Sequence, residues 1–156
     1  MGMQHVPVLL SVAFWLSGCA HVSESFIPLD GPPVNDLSQV AQIVEDADHP
    51  VLLRGLDGIP LKPVRVSHDF YKYAYVVQPG HHVFWGMNAP YGHPLVPQRI
   101  RCYIIQAEVA QGTRYRLKED VRLKKPLLLR DDTGETVSIG QLVDEPWVFL
   151  RSCRWQ

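Results

Sequence analysis

The stretch YKYAYVVQPGHHVFWGM, residues 71–87, decides the fold class of this chain. Residues 71–77 alternate in the period-two pattern of a β-strand and are rich in aromatic and aliphatic side chains. The tripeptide Gln78-Pro79-Gly80 is typical of a type II turn, in which glycine takes the positive φ angle. Residues 82–87 are then predicted to be the returning strand.

Two further strand pairs are predicted on the C-terminal side of this stretch. Residues 88–98 carry turn-forming prolines and glycine, so they are expected to form a long surface loop. The predicted hairpins that follow have as their arms residues 100–109 with 115–117 and residues 127–130 with 136–139. Their turns are Gln111-Gly112-Thr113 and Asp131-Asp132-Thr133-Gly134, and the glycine suits a left-handed conformation. A last apolar strand is predicted at residues 147–150.

The N-terminal side contains shorter strand signals. Residues 51–54 form a short apolar strand that ends in the turn signal of residues 55–58. Residues 64–66 are expected to form an irregular or edge strand because two prolines come shortly before them.

Residues 35–48 admit two alternatives. Apolar residues recur at helical spacing behind Asn35 or Ser38, either of which can cap a helix. The same segment also fits a first strand over residues 39–44, in which successive side chains face opposite sides. Periodicity over so few residues does not decide between them.

These segments together predict an all-β domain of about seven to nine short strands, arranged as a sandwich or small barrel. The strands must share a core, because an isolated hairpin is not stable. The 13 prolines and 11 glycines also disfavour a helical bundle. With 15 basic and 16 acidic residues, the chain lacks the basic surface of a nucleic-acid-binding protein, so we expect no nucleic-acid partner.

The N-terminal part contains Leu16-Ser17-Gly18-Cys19 at the end of an apolar block, residues 6–16. The block is shorter than the ~20 residues of a membrane-spanning helix but fits the apolar region of a secretory signal. The motif resembles the lipobox of bacterial lipoproteins, in which the cysteine sulfur receives a diacylglycerol before cleavage. Residues 1–5 contain no Lys or Arg, so the usual basic region is missing. The alternative is an ordinary secretory signal in which Cys19 is incidental.

The lipobox resemblance implies three segments. They are a lipoprotein signal peptide at residues 1–18, the lipidated Cys19 with a flexible tether at residues 19–34, and a β-sandwich domain at residues 35–156. Ala20 follows the cysteine where an acidic residue would favour inner-membrane retention in enterobacteria. We therefore expect a protein of the bacterial cell envelope that is lipid-anchored in the outer membrane and faces the periplasm.

Several turn motifs resemble those of uncharacterised small bacterial lipoproteins. They are Val40-Ala41-Gln42-Ile43, Leu56-Asp57-Gly58, Gln78-Pro79-Gly80-His81-His82-Val83, Ala110-Gln111-Gly112-Thr113-Arg114-Tyr115 and the hairpin at residues 131–134. This resemblance implies an immunoglobulin-like or transthyretin-like sandwich whose first strand lies near residues 39–44. It implies no catalytic residues.

Two cysteines remain after Cys19, namely Cys102 in a predicted strand and Cys153 after the last strand. In an oxidising periplasm such a leftover pair usually forms a disulfide. The alternative is a pair of buried free thiols that pack as small hydrophobic groups.

Residues 80–93 are rich in side chains that bind metals or partners. Imidazole and thioether groups suit copper, and the candidate ligands are His82, Met87 and His93. His81 and His82 are adjacent in a strand and point to opposite faces, so at most one of them joins a given site. No further metal-binding motif completes a ligand set, so we expect neither a metal centre nor a cofactor.

The same segment contains the aromatic residues Phe84, Trp85 and Tyr91, which are of the kind enriched at interface hot spots. Strand alternation places Phe84 and Trp85 on opposite faces, so one is expected in the core and the other outside. The prolines around Tyr91 are expected to keep it at the surface. We expect the exposed aromatic residues to bind an envelope protein partner.

The sequence contains no Gly-x-Ser-x-Gly elbow and no glycine-rich phosphate loop, and the pairs Glu45-Asp46 and Asp131-Asp132 are expected to face solvent. We therefore expect that this protein is not an enzyme. The expected function is that of a membrane-anchored periplasmic lipoprotein acting as a non-catalytic binding or assembly accessory. The alternative is a periplasmic metal or small-ligand carrier that uses residues 80–93, and a third option is a structural envelope protein without a specific ligand.

Overall fold

Eleven strands form two facing sheets in the part of the chain that a computed structural model describes, which is residues 24–31, 33–61, 73–91, 93, 95–96, 98–147 and 153–155. In chain order the strands are β1 (Ser25–Pro28), β2 (Ala41–Glu45), β3 (Val51–Leu56), β4 (Ile59–Pro60), β5 (Tyr73–Val77), β6 (Gly80–Asn88), β7 (Cys102–Val109), β8 (Arg114–Asp120), β9 (Lys125–Arg130), β10 (Thr136–Ile139) and β11 (Gln141–Asp144). The first sheet has the order β1-β5-β2-β8-β9-β10, and the second has the order β11-β7-β6-β3-β4. The expected all-β sandwich is confirmed.

The strand count exceeds the expected range because β1, β4 and β11 were not predicted. Each of these strands has four residues or fewer, which is too short for a clear alternating pattern. The predicted strand at residues 64–66 lies outside the described residues, as do residues 148–150 of the strand predicted at 147–150. Trp147 forms an isolated antiparallel bridge with Arg99. Within the described part of the chain, no helix has the length and apolar character needed to cross a membrane.

The core lies between the sheets and is built mainly from alternate residues of β6 to β9, whereas the last four residues of β5 are all buried. In β7 the alternate residues are Tyr103, Ile105, Ala107 and Val109, all at most 5% exposed. The opposite sheet contributes fully buried residues from β2, β8 and β9, namely Ile43, Leu117 and Leu128. This period of two is the pattern that the sequence shows, and it explains why these segments are strands.

Residues 41–45 are a strand, as the second alternative for this segment predicted. β2 pairs with β5 in antiparallel and with β8 in parallel orientation. The helical spacing leaves only a single 3₁₀ turn, Leu37–Gln39, and its cap is Asp36, whose Oδ1 accepts from Ser38 N at 2.9 Å. The predicted Asn35 or Ser38 cap is therefore wrong.

Two of the predicted hairpins are wrong, although their turns are in the expected places. The turn after β5 leads to β6 in the other sheet, and the turn after β7 leads to β8 in the other sheet. Gly80 and Gly112 have positive φ angles of 138° and 66°, so the prediction that glycine takes a positive φ angle is confirmed at both turns. A turn signal fixes where the chain reverses, but it does not fix whether the next strand pairs beside the first or crosses the core.

The third predicted hairpin is confirmed. β9 and β10 pair in antiparallel orientation with Leu128 opposite Ser138. Gly134 in the connecting loop has a φ of 71°, and its N–H donates to Arg130 O at 2.9 Å. Here the loop is short and both arms belong to the same sheet, so local chemistry suffices to define the hairpin.

The segment predicted to be a flexible tether contains a strand. β1 pairs in parallel with β5, and Ile27 packs against the core. Glu24 forms a two-pronged ion pair with Arg114, at 2.6 Å and 2.9 Å. The sandwich therefore includes residues from 24 onward rather than from 35, because Ile27 and Leu29 pack against its core. The predicted signal peptide and Cys19 lie outside the described residues.

The sandwich is closed at one side by a strand that changes sheets at Gly140. β10 pairs with β9 in the first sheet, and β11, which follows directly, pairs with β7 in the second. Gly140 N donates to Pro126 O at 2.9 Å. A β-carbon at this position would lie 2.5 Å from the carbonyl oxygen of Ile104, so the corner requires glycine.

We predict that Gly140→Ala lowers the free energy of unfolding by about 3 kcal/mol, because the nearest atom is backbone and cannot move aside like a flexible side chain. Gly134→Ala is the matched control. Its φ is 71° and no atom lies within 4 Å of the added carbon, so we expect a loss of only about 1 kcal/mol from backbone strain. Urea titration of both variants measures the difference, and equal losses would contradict the packing argument.

Candidate functional site

A carboxylate is buried between the sheets near the end of β8. Glu119 occupies the same inward series as Tyr115 and Leu117 and is only 6% exposed. Its Oε1 accepts from the hydroxyl of Tyr103 at 2.7 Å and from Nη1 of Arg101, which is itself 8% exposed. A buried charge is costly unless it is paired, so these donors determine whether Glu119 is tolerated.

The pKa values of the donors reflect this carboxylate. Burial opposes the charge of Arg101, but the hydrogen bond and the attraction of Glu119 outweigh it and raise the pKa of Arg101 above its usual value. Burial and the bond to Glu119 together raise the pKa of Tyr103. Both donors therefore hold their protons throughout the physiological pH range.

Arg101 also contacts a second acidic residue and an aromatic ring. Its Nε donates to Glu145 Oε1 at 3.3 Å, and its guanidinium carbon lies 4.1 Å from the centre of the Tyr91 ring. The Tyr91 hydroxyl donates to the same oxygen of Glu145, and this bond is the main reason that the pKa of Glu145 is lowered. The guanidinium is thus held in one orientation by two carboxylates and a cation–π contact.

A short turn forms the opposite wall of the site. Asp46 Oδ1 accepts from the backbone N–H groups of Asp48 and His49, at 3.0 Å and 2.9 Å. The His49 carbonyl in turn accepts from Glu119 N at 2.9 Å. Asp46 is only 9% exposed, so the expectation that the Glu45-Asp46 pair faces solvent is wrong, because backbone donors offset the cost of burying the carboxylate.

Glu45 of that pair is half-buried as well. Its two oxygens accept from Leu53 N at 2.8 Å and from the Tyr73 hydroxyl at 2.9 Å. Burial is the main reason that the pKa of Glu45 is raised. Burial and the nearby charge of Glu45 raise the pKa of Tyr75 to about 12. This group joins β2 to β3 and β5, so its position indicates a structural role.

A cleft of about 310 Å³ opens between the turn and the end of β6. Its lining consists of Asp48, His49, Pro50, Asn88, Ala89, Pro90, Tyr91, Arg101, Glu119 and Val121. A second cleft of about 360 Å³ shares His49, Glu119 and Val121 with the first. Glu119 therefore lies at the junction of two openings, and the ionic network is accessible from outside through them.

Of the three aromatic residues predicted to bind a partner, Phe84 is not available to one, so that prediction is wrong for Phe84. It is 1% exposed and packs in the core, because it lies in the inward series of β6. Trp85 lies on the outer face, as alternation predicts, but it is half-buried. Trp155 stacks on it with ring centres 5.4 Å apart and planes inclined by 2°.

A disulfide explains how Trp155 reaches that face. Cys102 and Cys153 are bonded, with their Cα atoms 5.5 Å apart, as the cysteine count predicted. Met87 and Trp155 pack against this bond and Ile100 in a small second core on the outer face of the second sheet. The C-terminal residues 153–155 therefore cover part of the surface that the sequence left open for a partner.

The candidate metal ligands His82, Met87 and His93 do not converge. His82 is buried, and its Nδ1 and Nε2 lie 2.7 Å from Asp57 Oδ2 and 2.8 Å from the Gln78 carbonyl. Met87 lies on the other face of the strand, and His93 Nδ1 accepts from Leu95 N at 3.2 Å. In the described part of the chain, no three His, Cys, Asp or Glu residues are grouped as a metal site would require.

The sequence prediction missed Asn88, Arg101 and Glu119, which form the centre of the cleft. Asn88 and Glu119 continue the inward series of β6 and β8 and are buried. A polar residue that falls in phase with buried apolar residues is a signal for an internal network, and it was present in the sequence. Arg101, just before β7, gives no comparable signal.

Comparisons with protein-family models, with curated proteins and with solved structures find no match to this chain.

We predict that the turn at Asp46 weakens in acid. Burial acts to raise the pKa of Asp46, but hydrogen bonds from His49 and Asp48 outweigh it, so the folded-state pKa lies below that of the unfolded chain. Its contribution to stability is therefore fully present above the unfolded pKa of about 3.9 and is lost as the pH falls through the folded pKa. Urea titrations between about pH 6 and pH 2 should show this loss in the wild type.

Asp46→Asn is the comparison that isolates this effect. The amide oxygen still accepts from the backbone but does not titrate, so the difference in unfolding free energy between wild type and variant should shrink as the pH falls. A difference that stays constant over the whole range would show that Asp46 does not titrate differently in the two states.

Proposed function

We propose that this chain is a lipid-anchored protein of the bacterial cell envelope whose sandwich domain binds a ligand or partner and carries out no catalysis. It is anchored through Cys19 in the outer membrane and faces the periplasm. The observation that carries the anchor is the sequence Leu16-Ser17-Gly18-Cys19 directly after a short apolar block.

The disulfide gives independent support for export. Cys102 and Cys153 are both buried and are bonded to each other. Stable disulfides are typical of the periplasm and other oxidising compartments and are rare in a reducing cytoplasm. The same compartment is the one in which a lipobox protein resides.

The cleft beside Glu119 supports a binding role. Charged residues that are buried and line an open cleft, as Arg101 and Glu119 do here, are typical of sites that orient a ligand. The same cleft favours the alternative of a periplasmic small-ligand carrier. A metal carrier would depend on His82, Met87 and His93, and these residues lie apart. Tyr91 is the one predicted partner-binding residue that lines the cleft.

We predict that the chain is isolated with Cys19 as its first residue and with attached acyl chains, and that it partitions into the detergent phase. Each buried methylene contributes about 0.8 kcal/mol, so two or more acyl chains give stable attachment. Cys19→Ser should leave the chain unprocessed or in the aqueous phase. Intact mass spectrometry and detergent phase separation measure both properties.

The control is the double variant Cys102→Ser with Cys153→Ser, which changes the other two cysteines. It should lose stability but still be processed and partition as the wild type does. An intact mass that retains Met1 and carries no lipid would contradict the proposed anchor.

A further inference from the structure

We propose that the cleft beside Glu119 binds a primary ammonium group carried on an aliphatic stem, with Glu119 and Asp48 as the carboxylates that receive it. Such a group belongs to a free alkylamine or to a lysine side chain of a partner protein. The inference rests on the proposed binding role but is independent of the anchor at Cys19.

The two oxygens of Glu119 are unequally satisfied. Oε1 accepts strong hydrogen bonds from Tyr103 and Arg101. Oε2 has Asn88 Nδ2 at 3.4 Å, which is longer than a normal hydrogen bond. A carboxylate oxygen accepts two or more hydrogen bonds when ionised, so Oε2 has capacity for a further donor.

The charges around the first cleft favour a cation. Arg101 is the cationic residue in its lining, and it is already paired with both Glu119 and Glu145. Asp48 adds a further negative charge at the rim, and no hydrogen bond to its carboxylate is found among the described residues. In the first cleft two carboxylates, Asp48 and Glu119, thus face one guanidinium, whereas Lys118 and Arg122 line the second cleft and direct a cationic ligand to the first. The desolvated position of Glu119 makes its attraction for a cation stronger than it would be in water.

The walls of the cleft suit an aliphatic stem. Pro50, Ala89, Pro90 and Val121 present apolar surface around the opening. Val121 is 49% exposed, so it has apolar area left to cover. A chain of methylene groups would pack on these residues while its terminal ammonium donates to Glu119 Oε2, in the way that lysine stems lie along apolar surfaces.

The test is a titration of the full chain in detergent micelles with n-pentylamine, followed by NMR shifts of the backbone amides. We expect saturable shifts centred on His49, Asn88 and Glu119. Pentanol and pentanoate have the same stem without the ammonium group, and they should produce no saturable shifts at these positions.

Two substitutions in the cleft and one outside it identify the groups responsible. Glu119→Gln keeps an oxygen for Tyr103 and Arg101 but presents an amide to the ligand, so it should raise the dissociation constant about tenfold. Asp48→Asn, in the exposed turn, should raise it about threefold without affecting the fold. Asp132→Asn removes an exposed carboxylate paired with Arg130 and should have no effect.

A second titration distinguishes the two sources of the ammonium group. It uses a short lysine peptide and the same peptide with acetylated lysine. Binding of pentylamine, weakened by Asp48→Asn, supports a small-amine ligand, and binding of the lysine peptide alone supports a partner side chain. The proposal is wrong if neither probe binds, if pentanoate binds as well as pentylamine, or if Asp48→Asn has no effect. The anchor proposed at Cys19 is tested separately, by detergent partition.

Discussion

The ion pair between Glu119 and Arg101 is the interaction on which this end of the sandwich depends. Glu119 belongs to the first sheet, whereas Tyr103 and Asn88 belong to the second, so the carboxylate joins the two layers directly. A buried charge with fewer donors would be strongly destabilising. The turn at Asp46 and the cation–π contact of Tyr91 are therefore best understood as parts that keep this pair in place while leaving a route to solvent.

The two layers are also joined by the path of the chain. The chain changes sheets after β2, β4, β5 and β7, and it does so again at Gly140 between β10 and β11. The crossings bring sequence neighbours face to face across the core instead of side by side in a sheet. Polar residues near the ends of β6 and β8 thereby approach each other, so that Asn88 Nδ2 lies 3.4 Å from Glu119 Oε2.

The sequence allows the strands to be predicted far better than their partners. Periodicity identifies β6 to β9 because their inward residues alternate over several positions, and the Asp-Thr-Gly loop identifies the β9–β10 hairpin. The sheet crossings at Gly80 and Gly112 could not be predicted, because the same turn chemistry serves a hairpin and a crossing. The burial of Glu119 could have been predicted, because this residue falls in the inward series of β8. The contribution of Arg101 could not, because it depends on a rotamer and a tertiary contact that no local pattern encodes.

The position of β1 has a mechanical consequence. It is the first described strand, and it lies in parallel against β5 with four paired positions, from Ser25 opposite Tyr73 to Pro28 opposite Val76. A pull on the preceding chain along the strand axis would load the hydrogen bonds of this pair together in shear, whereas a sideways pull would peel them apart one after another. The ion pair of Glu24 with Arg114 stands ahead of the first of these bonds, so tension from the N-terminal side reaches β8 in the middle of the sheet before it reaches the edge.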